Sequence, residues 1–248
     1  MLDPDIVPRS FGLAEDVPAV HSPWHQHRRA QVLYGVSGAM RLHTAHHVAL
    51  LPPSRAAFLP AGARHHVTCR RPVQLRTVYL DPRDDDAPFA VFAATPLLVS
   101  LLVEICALGI DRPAEAEPLF AALRYGVGRA ARSPLPLRLG VPSSPGLREL
   151  AERVLARPSA PWTLADAAGA SGLSVRTLQR RFRSELGHGF RRWLGQARLH
   201  HAVDLLADPT VAVGEVALRC GYDSPSSFTR AFREQLGVSP SAWRAQAP

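Results

Sequence analysis

Hydrophobic and polar residues alternate in short runs from about His21 to Leu80, as in QVLYGVSG, MRLHT, HHVALLPP, AAFLPAG and VQLRTVYL, with Pro and Gly between them. A period of two places successive side chains on opposite faces of a strand, so this zone predicts a small β-barrel or sandwich. From Thr95 to about Arg132 the period lengthens. Leu98, Leu101, Leu102, Ile105 and Leu108 recur at helical spacing, as do Leu119, Leu123 and Val127, which predicts two helices. The segment SPLPLRLGVPSSPG that follows is rich in Pro, Ser and Gly and reads as a linker ending near Gly146. Beyond it the chain reads as helical. The expected organisation is a β domain with trailing helices over residues 1–132, a linker over 133–146 and an all-α domain over 147–248, an α+β fold.

The all-α zone repeats itself with a period of about fifty residues. LADAAGASGLSVRTLQRRFRSELG (Leu164–Gly187) aligns with VGEVALRCGYDSPSSFTRAFREQLG (Val213–Gly237) once Asp223 is counted as an insertion. Ala168 then matches Ala217, Gly172 matches Gly221, Ser174 matches Ser224, and Leu178, Phe182 and Leu186 match Phe228, Phe232 and Leu236. Each copy has the parts of a helix-turn-helix: a small residue where helices cross, a glycine at the corner, a serine N-cap and a terminal glycine. Thr163 and Asp166 have the spacing of a capping box, and Pro225 sits at the first helical position, where proline is tolerated. The second helix of such a unit enters the major groove. In the first copy Arg176, Gln179, Arg180 and Arg183 are expected to face outward; in the second, Ser226, Thr229, Arg230 and Arg233. With Ser174, Thr177 and Ser224 at the helix starts, these are the candidate DNA-binding residues. Arg and Gln read guanine and adenine edges in pairs, so the first copy should discriminate bases more strongly. Between the copies, Phe190, Trp193, Leu194, Ala197, Ala202, Leu205 and Leu206 form one stripe of a helix that would set the spacing of the two units, to suit major grooves about 34 Å apart.

Charge agrees with a polyanionic partner. The 248 residues carry a formal net charge of +8, and every basic residue is arginine. Residues 147–248 hold 14 arginines against 9 acidic residues. Amphipathic helices with arginine on a solvated face are the bland alternative; two aligned, capped copies weigh against it. With hydrophobic residues at 46% and charged residues at 20%, the balance is that of a soluble globular chain. Cys69, Cys106 and Cys220 form no disulfide framework and favour a reducing compartment. MLDPDIVPRS has no signal-peptide core, and Ala87–Ile110 is interrupted by Pro88, Pro96 and Glu104, so it reads as core helices and not a membrane span. A cytoplasmic protein is expected, with no membrane partner, since no amphipathic helix with aromatic anchors is visible.

The segment Thr163–Arg244 resembles the DNA-binding domain of the AraC/XylS family of transcription regulators. The resemblance rests on LSVRTLQRRF, ARLHHAVDLL and VALRCGYDSPSSFTRAFREQLGVSPSAWR, with Trp243 where tyrosine is commoner, and covers about a third of the chain. It implies a seven-helix domain with bipartite binding to double-stranded DNA. Arg176, Gln179, Arg180, Ser226, Thr229 and Arg230 fall where that family contacts DNA.

The β zone carries a second signal. HQHRRAQ supplies His25, His27 and Gln31, with Gly38 after six further residues, and PAGARH supplies Pro60, Gly62 and His65. Residues two apart on a strand face one side, so His25 and His27 could point together into a barrel and His65 could complete a facial set. The pattern resembles the two cupin motifs, with two departures: Gln31 replaces the usual glutamate, and Cys69 stands where asparagine is common. His25, His27, Gln31 and His65 are therefore the candidate ligands of a divalent metal such as Zn2+, Ni2+ or Fe2+. The competing readings are metal-free walls of an effector pocket and a catalytic cupin. No cofactor is needed for DNA binding. His43, His46, His47 and His66 read as surface or edge residues, His66 doubling as a substitute ligand, while the facing of Tyr34 is open. The sequence thus points to a cupin-like sensor for a small-molecule or metal effector, joined to a sequence-specific DNA-binding domain. Its helices from Pro96 to Arg132 are the candidates for a homodimer interface. The alternative is a metal-dependent, dioxygenase-like cupin enzyme with basic helices.

Overall fold

The computed structural model describes residues 3–69 and 72–245. They form two compact units, one of residues 3–44 and 49–137, the other of residues 45–48 and 138–245.

The first unit is built on β1 (Phe11–Val17), β2 (Val20–His21), β3 (Ala30–Ser37), β4 (Met40–Thr44), β5 (His47–Leu51), β6 (Arg55–Leu59), β7 (His65–Cys69), β8 (Val73–Leu80) and β9 (Ala90–Ala93). One antiparallel sheet runs β1–β8–β3–β6–β9, and the other contains β5, β4, β7 and β2 in that order. The two helices are α1 (Pro96–Leu108), capped by the Thr95 hydroxyl accepting from the Leu98 N–H, and α2 (Pro113–Ala131). They cover the outward face of the first sheet, where Ala30, Val32, Tyr34, Phe58, Val78 and Leu80 meet Leu98, Leu102, Ile105, Phe120 and Leu123. Each large apolar side chain buried there contributes about 1.5–3 kcal/mol. Tyr34 belongs to this core, with its phenol pushed up in pKa by burial, so it points away from the sheet's inner face.

Two strands of the first unit lie wholly outside the expected β zone. β1 pairs along its whole length with β8, from Phe11 opposite Tyr79 to Val17 opposite Val73. Glu15 and Asp16 on this edge strand obscure its pattern. β9 falls inside the Ala87–Ile110 run read as helical; it pairs with β6 through Arg55–Phe58. Its four residues are too short for periodicity to separate strand from helix.

In the second unit β10 (Arg138–Gly140) precedes α3 (Pro145–Ala156), α4 (Leu164–Ala170), α5 (Val175–Leu186), α6 (Phe190–Leu206), α7 (Val213–Arg219), α8 (Pro225–Leu236) and α9 (Pro240–Ala245). The segment expected as linker is thus partly structured. The Val141 N–H donates to the His46 carbonyl, and Ser143 and Ser144 donate through backbone and hydroxyl groups to the Glu185 carboxylate. That carboxylate sits at the start of α3, where an anion meets unpaired N–H groups. Leu147, Leu150, Val154, Leu178, Phe182, Phe190 and Trp193 form the core around α3–α6, and the Trp193 indole donates to the Gly140 carbonyl at 2.7 Å. Among the described residues no helix is long and apolar enough to cross a membrane.

Candidate functional site

The two helix-turn-helix units are built by local chemistry that the chain repeats. The Thr163 hydroxyl accepts from the Asp166 N–H while the Asp166 carboxylate accepts from the Thr163 N–H, a reciprocal capping box at the start of α4. At the corners, Gly172 and Gly221 have φ of +65° and +76°, a region that costs any residue with a Cβ. At Gly221 a Cβ would also meet the Ser159 carbonyl at 2.8 Å. The Ser174 hydroxyl then caps α5 through the Thr177 N–H, and the Ser224 hydroxyl caps α8 through the Ser227 N–H. Leu178 and Phe182 of α5 and Phe228 and Phe232 of α8 are wholly buried, which fixes which face each helix offers to solvent.

On α5 that face carries Arg176, Arg180 and Arg183, all exposed, with Ser174 beside them. Arg181 is exposed on the same helix; the run RRFR was its signal, and the outward set read from the repeat left it out. On α8, Ser226, Arg230 and Arg233 are exposed and Thr229 is half-buried, and these four line a shallow depression of about 530 Å³ with Pro225 and Glu234. Thr177 and Ser224 are half-buried, their side-chain oxygens taken up in the cap hydrogen bonds. Gln179 departs from the outward placement expected of it. It is half-buried, packs against Gly189, and leaves its Oε1 without a hydrogen-bond partner. The glycine at 189 makes the room: a Cβ there would lie 2.5 Å from that oxygen. α6 is a single helix of 17 residues, about 26 Å long at 1.5 Å per residue.

The first unit brings the predicted histidines together. His25 and His65 form an antiparallel bridge, each backbone N–H donating to the other's carbonyl at 2.9 and 2.8 Å. Ring centroids lie 4.3 Å apart for His25 and His65, 5.2 Å for His27 and His65, and 6.2 Å for His25 and His27. His27 lies in the loop before β3 and not on a strand, so the two are not aligned by β alternation as expected. Gln31 of β3 is buried beside them, its Oε1 3.3 Å from His27 Nε2 and its Nε2 3.0 Å from Thr77 Oγ1.

The hydrogen bonds set the tautomers. Nδ1 of His25, His27 and His65 each meets a backbone carbonyl, of Pro23 at 2.9 Å, Arg29 at 2.7 Å and Ala63 at 2.8 Å. A neutral ring must donate there, which leaves each Nε2 with a lone pair. His27 Nε2 therefore accepts, and a neutral His27 requires the Gln31 amide to turn its NH2 toward it and its oxygen toward the Thr77 hydroxyl. Burial holds His65 down at about 4; the bond to Ala63 opposes this, and His25, His27 and His66 add to it. Thr77 and Tyr79 were not singled out from the sequence, although alternation in VQLRTVYL puts them on one face of β8. Tyr79 packs edge-on against His27, and burial pushes its phenol up to about 12.

A divalent ion held by three imidazoles at about 2.1 Å needs ring centroids about 5 Å apart. The His25–His27 separation is wider, and among the described residues no three His, Cys, Asp or Glu side chains are arranged to hold a metal ion. His66 and His43 differ from the surface placement expected of them. His66 alternates with His65 to the outer face of β7, where it is buried between His43, His21 and Trp24, so it is no substitute ligand. His43 is half-buried, His47 half-buried and His46 exposed. Cys69 is buried, its thiol donating to the Pro18 carbonyl.

Two family models match the chain, an AraC-like ligand binding domain over residues 7–88 and a helix-turn-helix domain over residues 167–246. The HTH-type transcriptional regulator NimR of Escherichia coli is 28% identical over 229 residues, covering 91% of this chain and 83% of that protein. RipA of Corynebacterium diphtheriae, another HTH-type transcriptional regulator, is 34% identical over 136 residues, covering 55% of this chain and 37% of that protein. Among solved structures, the DNA-binding domain of AdpA in complex with a target DNA is 38% identical, covering 41% of this chain and 92% of that one, with a TM-score of 0.39.

Proposed function

The chain belongs to the AraC family of DNA-binding transcriptional regulators, with a ligand-binding N-terminal domain, and from that premise we propose how it reads DNA and what its β domain senses. Its relatives and domains are those of regulators and not of enzymes, so the reading as a dioxygenase-like cupin falls away. α5 and α8 are the recognition helices. Arg176, Arg180 and Arg183 supply the stronger base and phosphate contacts, and Ser226, Thr229, Arg230 and Arg233 the weaker ones, with Ser174, Thr177 and Ser224 setting the helix starts. The observation that carries this is the duplicated, capped unit whose outward face is arginine-rich while its inner face is buried. Gln179, half-buried at Gly189, contributes less than its position suggests.

Selection of duplexes from a random pool, followed by titration in rising salt, tests the reading. The selected duplex should bind about a thousandfold or more tighter than random DNA. Affinity should fall by about 0.9 log units per phosphate contact for each tenfold rise in salt. Binding of all duplexes alike would reduce the domain to a non-specific polycation.

The effector site is the histidine cluster of the inner sheet face. An organic effector would find acceptors at His25, His27 and His65 and an amide at Gln31, over the aromatic edge of Tyr79. A divalent ion is the second reading, favoured by one feature: each Nδ1 is anchored on a carbonyl, the arrangement that fixes a metal-ligating imidazole. His25, His27 and His65 would hold the ion, with Gln31 as a neutral oxygen donor, once His25 and His27 close together. Whichever binds, it acts on DNA binding only through different affinity for two conformations. Elemental analysis of protein purified without a tag or chelator separates the two. Near-stoichiometric metal that His27→Ala removes supports the ion; metal unchanged in that variant excludes this site. Homodimerisation through α1 and α2 is part of the same reading and is checked by sedimentation.

A further inference from the structure

The two copies of the helix-turn-helix share α6, and the apolar core around α3–α6 reaches along it as far as Ala197. Arg198 comes next and is half-buried. Its Nε donates to the Pro158 carbonyl and its Nη2 to the Ala160 carbonyl, both at 3.1 Å. Those carbonyls belong to the loop between α3 and α4, which is bound into the first copy. The Trp162 N–H donates to the Ala160 carbonyl at 2.7 Å, its indole donates to the Arg157 carbonyl at 3.0 Å, and its ring packs against the same core.

The corner of the second copy meets this contact from the other side. A Cβ at Gly221 would lie 2.8 Å from the Ser159 carbonyl oxygen and 3.0 Å from Arg198 Nη2, so the backbone of the corner rests directly on the loop and the guanidinium. Cys220 and Tyr222 flank that glycine. Burial pushes the thiol and the phenol up to about 12, and the Arg198 charge works against burial in both. The Tyr222 ring packs on Phe228 of α8 with centroids 5.3 Å apart, which ties the corner to the second recognition helix.

A guanidinium suits this seam. Its planar fork donates two charge-assisted hydrogen bonds in fixed directions, which neither an apolar side chain nor an ammonium can do. Both bonds go to main chain, so they fix the path of the loop itself.

We propose that Arg198 is a positioning residue for DNA recognition: by holding the Pro158–Ala160 loop against the Gly221 corner, it sets the separation and rotation of α5 and α8, and so the half-site spacing the chain accepts. The proposal rests on both helices reading DNA, as argued above. Arg198 acts through the loop and the corner, not by contact with DNA.

Equilibrium binding of the full chain to the selected duplex tests it, beside a duplex with two base pairs inserted between the half-sites and two in which one or the other half-site is scrambled. The insertion turns one half-site by about 70° relative to the other, at about 10.5 base pairs per turn. The native chain should lose about tenfold or more on the insertion, because rigidly spaced helices no longer engage both half-sites together. Arg198→Met keeps an unbranched stem and removes every donor. It should bind the intact duplex about tenfold more weakly than the native chain, lose less than about threefold more on the insertion, and bind each single half-site within about twofold of native. Arg198→Lys, which can reach one carbonyl, should fall between the two, and it carries the same comparison should methionine unfold the domain by far-UV circular dichroism. A variant as sensitive to the insertion as the native chain would overturn the proposal alone. Equal losses on single and intact sites would overturn it as well, because Arg198 would then serve one copy only. A native chain indifferent to the insertion would sink the reading by two helices and the proposal with it.

Discussion

Acid should loosen the first unit through a histidine stack that has no place in the effector cluster. His43 of β4 and His66 of β7 are register partners on the outer face of their sheet, with rings 4.2 Å apart and 13° from parallel. Burial first, then the charges of His66, Arg41 and His21, hold the pKa of His43 down from 6.5 to about 3. In the unfolded chain this ring takes a proton near pH 6.5, and in the folded one it resists. The folded state is therefore fully favoured above about pH 7 and loses ground as pH falls from 6.5 toward 3. At about pH 5 the deficit is about 2 kcal/mol for a fully shielded ring, and about 1–2 kcal/mol once the ring's partial exposure is allowed for. The perturbation is His43→Gln, which can keep the hydrogen bond to Thr68 Oγ1 that His43 Nε2 makes at 3.1 Å and cannot titrate. Urea unfolding at about pH 7.5 and pH 5, followed by hydrogen exchange of peptides from the first unit, avoids averaging the two units. The native chain should lose about 1–2 kcal/mol more than the variant between the two conditions. Equal losses, within about 0.3 kcal/mol, would refute the reasoning, because acid would then act elsewhere.

Arg180→Ala should cost about 1–3 kcal/mol on the selected duplex and relax preference at one base pair; equal weakening on every duplex would make Arg180 a phosphate contact. Gly221→Ala should destabilise the second unit by about 1–3 kcal/mol in thermal unfolding, combining the strain of φ +76° with a Cβ 2.8 Å from the Ser159 carbonyl; a loss below about 0.5 kcal/mol would mean the corner relaxes freely. Glu185→Gln should cost about 1 kcal/mol. Burial works to raise the Glu185 pKa, but the hydrogen bonds from Ser144 and Ser143 outweigh it and hold it low, so the native contribution should be present at neutral pH and fade as acid protonates the carboxylate, a fade the variant lacks.

The parts of this fold that depend on neighbours in sequence could be read directly. Helical period, serine caps and corner glycines act within one or two turns, so Thr163, Ser174, Ser224, Gly172 and Gly221 show where the repeated units start and bend. The same holds for the inner faces of α5 and α8, because a stripe of Leu178 and Phe182 can only be buried one way round. The spacing of His25, His27 and His65 likewise marked residues that the fold does gather.

What escaped the sequence depends on partners far along the chain. β1 is a strand because the distant β8 supplies its hydrogen bonds, and β9 because β6 does. Pairing of that kind leaves no period in a strand as short as β9, or in one where Glu15 and Asp16 put a carboxylate on each face. The side taken by Tyr34 follows from which face of the first sheet α1 and α2 cover, and that of His66 from the packing of His21, Trp24 and His43 on the outer face of the other sheet, choices that alternation alone leaves undecided. Gln179 looked like a base reader from its place on α5, and only the packing of Gly189 against it turned its amide inward. Local chemistry determined the elements and most of the candidate residues. The tertiary structure decided which face each one serves, because burial is a property of the assembled sheet and helices and not of any stretch of chain.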